Sequence, residues 1–128
     1  MEPKKILIVD DDDVTLKLLN SRLTSEGFEV HKARTGNEAI EMAAKIVPNL
    51  IIMDIILPDI EGSEAISIIN DNPATRDVKK IVFMSSIVAT DEGSTISEVT
   101  VGGSKYSAFS KPINFSDLLP VLKKALDS

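Results

Sequence analysis

The sequence predicts an α/β protein whose core is a doubly wound parallel sheet of five strands, surrounded by five helices. Five short apolar runs alternate along the chain with five segments of helical character. Most of the apolar runs are continuous, which is typical of strands covered on both faces, as in a parallel sheet. A strand–helix order repeated five times makes the helices crossovers between parallel strands, and these cover both faces.

The predicted strands end at polar side chains. The runs are residues 6–9, 28–30, 50–53, 81–84 and 108–109. Four acids at residues 10–13 follow the first run, and Asp54 follows the third. Ser85 follows the fourth run, and Lys111 comes just after the fifth. Ligands of open parallel sheets bind beyond the carboxyl ends of the strands, so these side chains form a candidate site.

Segments with apolar residues at helical spacing lie between the predicted strands. Gly27 fits a stop after the first helix, and Thr35 with Glu38 forms a capping box at the start of the second. The apolar positions, in chain order, are Leu16, Leu19 and Leu23; Ala39, Ile40, Ala43 and Ala44; Ala65, Ile66 and Ile69; and Leu118, Leu119, Leu122 and Leu126.

Two of the five helices have weak sequence signals. The fourth is expected near residues 91–101, which include Gly93, Thr95 and Thr100 among other weak helix formers. The last contains Pro120, which has no N–H and crowds the carbonyl four residues back. We therefore expect a short or irregular fourth helix and a fifth helix distorted in its first turns.

Composition narrows the class of protein. A chain of 128 residues with 43% hydrophobic residues predicts one globular domain. It has no cysteine, which excludes disulfides and thiolate metal sites, and its first apolar run is too short for a signal peptide or a membrane span. A net charge of -6 disfavours direct binding to nucleic acid. We expect a cytoplasmic protein without a membrane partner.

The acids at the predicted strand ends favour a bound cation. Two carboxylates about 4 Å apart repel by roughly 4 kcal/mol at an effective dielectric constant of about 20, so gathering Asp10, Asp11 and Asp54 is costly without a positive charge. Oxygen ligands without His or Cys favour magnesium or manganese. Lys111 adds a further positive charge, and a carboxylate beside both can act as a nucleophile toward phosphorus.

Four segments together resemble the signature blocks of response-regulator receiver domains: ILIVDDDD, LIIMDIILPDIEG, IVFMSS and FSKPI. The resemblance runs from Lys5 to about Leu126. It implies a single receiver domain over residues 1–128, with the flavodoxin-like strand order 2-1-3-4-5. It also implies a signalling domain rather than an enzyme in the ordinary sense, because a receiver catalyses only its own phosphorylation and dephosphorylation.

The resemblance assigns roles in phosphoryl transfer. It implies that Asp54 accepts a phosphoryl group from a histidine kinase or a phosphotransfer protein. Ser85 stands where the family has a Ser or Thr that contacts the phosphoryl group. Lys111 is expected to form a salt bridge to Asp54 or to the acyl phosphate. Output is expected to run through contact with a downstream protein.

The resemblance also assigns a magnesium site. Asp11 would bind Mg²⁺ directly and Asp10 through water. Asp54 and the backbone carbonyl of Ile56 would complete the protein ligands.

The sequence departs from the family near the fifth strand. The stretch from Ser85 to Lys111 is a few residues longer than usual. The family usually has Tyr or Phe three residues before the lysine, where this chain has Ala108. Tyr106 would take that place if a bulge shifted the strand register. Output is expected on the face formed by the fourth helix, the fifth strand and the fifth helix.

Two other functions fit parts of the sequence. Asp10, Asp12 and Val14 match the first motif of haloacid-dehalogenase-type phosphatases, whose late acids would have to be Asp117 and Asp127. A pseudo-receiver would keep the fold as a binding module without being phosphorylated. The first alternative leaves Asp54 without a role, and the second is expected to lack one of the acids or the lysine.

Overall fold

Six strands form a single sheet in the computed structural model, which describes residues 3–78, 80–85, 96–111 and 113–127. The strands are β1 (Lys5–Val9), β2 (Glu29–Ala33), β3 (Leu50–Asp54), β4 (Ile81–Ser85), β5 (Ile96–Val101) and β6 (Ser104–Ser110). The helices in these residues are α1 (Asp13–Ser25), α2 (Gly36–Ile46), α3 (Gly62–Asp71) and α4 (Phe115–Leu126).

The parallel part of the sheet has the predicted order. Its strands follow one another as β2-β1-β3-β4-β6, and all four pairings are parallel. With β6 as the fifth parallel strand, this is the 2-1-3-4-5 order expected from the sequence. The register pairs Val9 with Met53 and Asp54 with Met84, so neighbouring strands end at the same edge of the sheet.

The helices cover both faces of the sheet, which confirms the doubly wound architecture. Helices α1 and α4 bury leucines against one face, and α2 and α3 bury alanines and isoleucines against the other. The buried side chains of these helices are Leu16, Leu19, Leu23, Leu118, Leu122 and Leu126 on the first face and Ala39, Ala43, Ala65, Ile66 and Ile69 on the second. Ala44, expected on the apolar side of α2, is exposed.

The region of the expected fourth helix differs from the prediction. Residues 96–101 form strand β5, which pairs antiparallel with β6 at the edge of the sheet. Residues 91–95, the rest of that expected helix, lie outside the described residues. The described part of the chain therefore has one strand more and one helix fewer than the sequence predicted.

The side chains of β5 explain this difference. Val101 is buried and Val99 packs against the core on the α2/α3 face, whereas Glu98 and Thr100 are exposed. This alternation has the period of a strand with one buried face, and β-branched residues favour strands over helices. The weak helix signal was therefore correct, but the segment forms a strand instead of an irregular helix.

The last helix is continuous. It runs from Phe115 to Leu126 with Pro120 inside it, and the side chain of Asn114 caps it by accepting a hydrogen bond from the N–H of Ser116. Any distortion caused by Pro120 does not interrupt the helix. In the described residues no helix has both the length and the apolar character needed to cross a bilayer.

We predict that the β5–β6 turn tolerates only substitutions by residues that readily adopt a positive φ. Gly102 and Gly103 have φ of +57° and +85°, as a two-residue hairpin turn requires, and an added Cβ would meet no atom within 4 Å at either position. Gly103→Val should lower the free energy of unfolding by about 1–2 kcal/mol through backbone strain, whereas Gly102→Asn should be nearly neutral. Urea denaturation measures both. Two variants as stable as the wild type would contradict the hairpin.

Candidate functional site

The carboxyl ends of the parallel strands bring the predicted polar residues together. Asp10 follows β1, Asp54 ends β3, Ser85 ends β4 and Lys111 follows β6. Asp10, Asp54 and Ser85 are 0%, 5% and 1% exposed, so polar groups here lie in a protein interior where an uncompensated charge is costly. The N–H of Lys111 donates to the carbonyl of Ser85 (3.0 Å), which fixes the end of β6 against β4.

Lys111 is the positive charge that compensates the buried acids. Its Nζ lies 2.9 Å from Asp54 Oδ2, to which it donates a hydrogen bond, and 2.6 Å from Asp10 Oδ2, with which it forms an ion pair. The other oxygens are held by the backbone, since Asp10 Oδ1 accepts from the N–H of Asp12 (2.9 Å) and Asp54 Oδ1 from that of Ile56 (3.2 Å). Both carboxylates are thus oriented from two sides.

Burial and charge shift two pKa values in this cluster. Burial raises the pKa of Asp10, and the negative charge of Asp54 adds to this, although Lys111 and the N–H of Asp12 act in the opposite direction. Burial alone would lower the pKa of Lys111, but its contacts with Asp10 and Asp54 outweigh burial and raise it. Lys111 therefore keeps its charge, while the acids still carry an unfavourable excess of negative charge.

The three acids at this edge fit a hard cation. Carboxylate oxygens of Asp10, Asp11 and Asp54 lie within 4.8 Å of one another, and Asp11 is exposed, so the cluster is open to solvent on one side. Asp10 Oδ2 is buried and, among the described residues, has the ion pair with Lys111 but no aligned hydrogen bond. An all-oxygen donor set with an under-coordinated buried carboxylate suits Mg²⁺. Ile56, the fourth predicted ligand, contributes an N–H to Asp54 and lies in the adjoining loop.

The loop between β3 and α3 is held in place by hydrogen bonds and close packing of its own backbone. The N–H of Gly62 donates to the carbonyl of Ile55 (2.8 Å), and Ile56 forms an antiparallel bridge with Glu61. A Cβ at Gly62 would lie 2.1 Å from the carbonyl oxygen of Asp54, which is backbone and cannot move aside cheaply. Glycine at this position therefore lets the loop fold back against the predicted phosphoacceptor.

The four consecutive acids divide into two pairs. Asp12 is the N-cap of α1, accepting hydrogen bonds from the N–H of Val14 (3.0 Å) and the hydroxyl of Thr15 (3.0 Å), and these lower its pKa. Asp13 pairs with Arg34. Asp10 and Asp11 belong to the site. Asp12, the second acid of the motif shared with the phosphatase alternative, is therefore engaged as a helix cap.

Strand β6 carries no bulge that would move Tyr106 toward the site. Its pairing with β4 is one to one, with Ala108 opposite Phe83 and Ser110 opposite Ser85. Tyr106 lies farther from the site, edge-on to Phe83 with ring centroids 5.8 Å apart. The register shift that would have moved Tyr106 into the position three residues before Lys111 is absent from β6, and Ala108 occupies that position.

One residue that holds the structure together near the site, Asp59, was not identified from the sequence. The carboxylate of Asp59, in the β3–α3 loop, accepts hydrogen bonds from the N–H groups of Gly36 and Asn37 at the start of α2. Desolvation acts to raise the pKa of Asp59, but these bonds outweigh it and hold the pKa below its ordinary value. Its partners lie more than twenty residues away in the chain, and local patterns carry no signal of such a contact.

Comparisons with known proteins agree with this architecture. The chain matches the response regulator receiver domain family over residues 6–123. It is 30% identical over 124 residues to the polar-differentiation response regulator DivK of Brucella anthropi, covering 97% of each protein. It is 33% identical over 111 residues to the response regulator PleD of Caulobacter vibrioides, covering 86% of this chain but 23% of PleD.

A solved structure shows the same fold. The receiver domain of the sensor histidine kinase PA1611 from Pseudomonas aeruginosa has a TM-score of 0.79 to this chain at 21% identity, with coverage of 98% of this chain and 99% of that one. That structure has a magnesium ion coordinated in its active-site cleft. From the family match and the similarity to DivK along almost the whole chain, we conclude that this protein belongs to the response-regulator receiver domains of two-component signalling.

Proposed function

We propose that residues 1–128 are one receiver domain that accepts a phosphoryl group on Asp54 from a histidine kinase or a phosphotransfer protein. The observation that carries the proposal is the position of Asp54, which is buried at the end of β3, bonded to Lys111 and clustered with Asp10 and Asp11. A carboxylate in this setting is a nucleophile whose surroundings already provide positive charge for the incoming oxygens.

The proposed transfer uses the residues of this chain as follows. An oxygen of Asp54 attacks the phosphorus, a new O–P bond forms, and the P–N bond to the donor histidine breaks. The imidazole leaves with the bonding electron pair. Lys111 stabilises the negative charge on the transferred oxygens, and the hydroxyl of Ser85 donates a hydrogen bond to one of them.

Mg²⁺ would be held by Asp10, Asp11, Asp54 and the carbonyl of Ile56. When bound, it would neutralise charge on the carboxylates and on the transferred phosphoryl oxygens. The donor set supports this proposal, because three clustered carboxylates provide hard oxygen ligands. The magnesium ion in the PA1611 receiver domain, which has the same fold, is consistent with it.

We infer that output runs through contact with a downstream protein and that the domain works in the cytoplasm without binding nucleic acid directly. The expected output face would consist of β5, β6 and α4, because the described part of the expected fourth helix is a strand. The net charge of -6 supports a protein partner over nucleic acid.

The pseudo-receiver is the alternative that a direct experiment must separate from this proposal. The presence of both acids, the acceptor, the hydroxyl and the lysine favours phosphorylation over a purely binding role. In the proposed function a small-molecule phosphodonor with magnesium modifies the protein, whereas a pseudo-receiver stays unmodified.

We predict that magnesium stabilises the folded protein. Binding to the native state alone should add about 2.7 kcal/mol to the free energy of unfolding at a hundredfold excess over Kd. Asp11→Ala should reduce this gain because it removes a proposed ligand. Asp13→Ala removes the same charge from a residue that pairs with Arg34, and it should keep the gain. Thermal or urea unfolding with and without Mg²⁺ measures the effect, and a wild type indifferent to millimolar magnesium would contradict the site.

We predict that Asp54 is the sole site of acyl phosphorylation. Acetyl phosphate with Mg²⁺ should add the mass of one phosphoryl group to the intact protein, and Asp54→Asn should abolish the addition because the amide is a poor nucleophile. Intact-mass spectrometry reads the result. Phosphorylation that persists in Asp54→Asn would show that another residue is the acceptor, and an unmodified wild type would favour the pseudo-receiver.

A further inference from the structure

Asp59 links the loop that follows the phosphoacceptor to the start of helix α2. Its Oδ1 accepts a hydrogen bond from the N–H of Gly36 and its Oδ2 one from the N–H of Asn37, each at 2.8 Å. The N–H of Glu38 donates to the hydroxyl of Thr35 at 3.0 Å. The first three N–H groups of α2 are thus satisfied, two of them by a side chain from a different element.

The contact between the β3–α3 loop and the start of α2 is also closely packed. Ile60, the next residue in the loop, packs against the core on the α2/α3 face. A Cβ at Gly36 would lie 2.3 Å from Ile60 Cγ1, so the loop reaches the helix where only a glycine leaves room without a shift. Two consecutive loop residues therefore dock on the first turn of α2, one through hydrogen bonds and one through apolar contact.

The near end of this loop is joined to the predicted phosphoacceptor. The N–H of Ile56 donates to Asp54 Oδ1, and the bridge between Ile56 and Glu61 closes the base of the loop. Asp59 lies between these two bridge residues, at the far end of the closed loop. Its bonds to α2 restrain that end, while the bridge transmits the restraint back to Ile56.

We propose that Asp59 is a positioning residue for the magnesium site, which it supports by fixing the loop that carries the carbonyl of Ile56. The inference rests on the proposed function, in which that carbonyl is a ligand. Mg²⁺ demands near-ideal octahedral geometry, so a ligand on a loosened loop binds less well. Ordering a mobile loop on binding also costs conformational entropy that a pre-fixed loop avoids. Mutation of a group that orients a metal ligand typically weakens metal binding by about 10–100-fold.

Two control variants separate positioning from simpler effects. Thr35→Ala removes a cap from the same helix N-terminus without touching the loop. Glu61→Gln removes a negative charge from the same loop, at a residue whose side chain makes no capping hydrogen bond to α3. The first control reproduces a loss of helix capping, and the second reproduces a loss of loop charge.

The test is calorimetric titration of MgCl₂ into the full chain for the wild type, Asp59→Ala, Asp59→Asn and both controls, with unfolding curves for each. Asp59→Ala should raise the Kd for Mg²⁺ about tenfold, and both controls should stay within about twofold of the wild type. Asp59→Asn should be intermediate, because its amide oxygen can accept one of the two bonds, and it carries the test if the alanine variant does not fold.

The possible results are distinct. If the wild type binds magnesium and both Asp59 variants keep its Kd, the positioning role is wrong and Asp59 is only a helix cap. The same holds if Thr35→Ala weakens binding as much as Asp59→Ala, and a matching loss in Glu61→Gln would assign the effect to charge. If the wild type binds no magnesium, the proposed function fails and this inference fails with it.

Discussion

The contacts of Lys111 with Asp10 and Asp54 are the interaction on which the site depends. Carboxylate oxygens of Asp10 and Asp54 lie within 4.8 Å of each other and would repel by several kcal/mol without a positive charge nearby. Lys111 provides that charge, because its Nζ lies 2.6 Å from Asp10 Oδ2 and 2.9 Å from Asp54 Oδ2. The strand order makes this possible, since β4 lies between β3 and β6. Strand β4 ends in Ser85, and Lys111 at the end of β6 reaches across this strand to Asp54 on β3.

A second constraint acts from the other side of Asp54. The β3–α3 loop folds back so closely that only glycine fits at residue 62, and the loop's N–H at Ile56 holds Asp54 Oδ1. Lys111 and the loop therefore fix the two oxygens of the same carboxylate through different elements. Preorganisation of this kind suits the role proposed for Asp54, because the reacting oxygen of a nucleophile must be correctly placed before the donor arrives.

The sequence predicted the order of the parallel strands and the clustering of the polar residues at their carboxyl ends, because both depend on strong local signals. Continuous apolar runs that end in Asp10, Asp54 and Ser85 place these residues at one edge of any parallel sheet. The hairpin at β5 was missed because the alternation of five strands with five helices was extended to a segment whose own residues favour a strand. Valines two residues apart, followed by two glycines, were the available signal. Asp59 had no such signal, since its role depends on tertiary contact with α2.

We propose that Lys111 and a divalent cation both offset the negative charge of the same acids, so that the loss of one makes the other more important. Lys111→Met should lower the free energy of unfolding by about 3 kcal/mol without magnesium, as expected for breaking a buried ion pair. Saturating Mg²⁺ should recover at least about 1 kcal/mol of that difference, because the ion binds more tightly when the lysine no longer competes. Urea unfolding of both proteins, with and without Mg²⁺, measures this coupling. A loss that is the same at every magnesium concentration would contradict the claim.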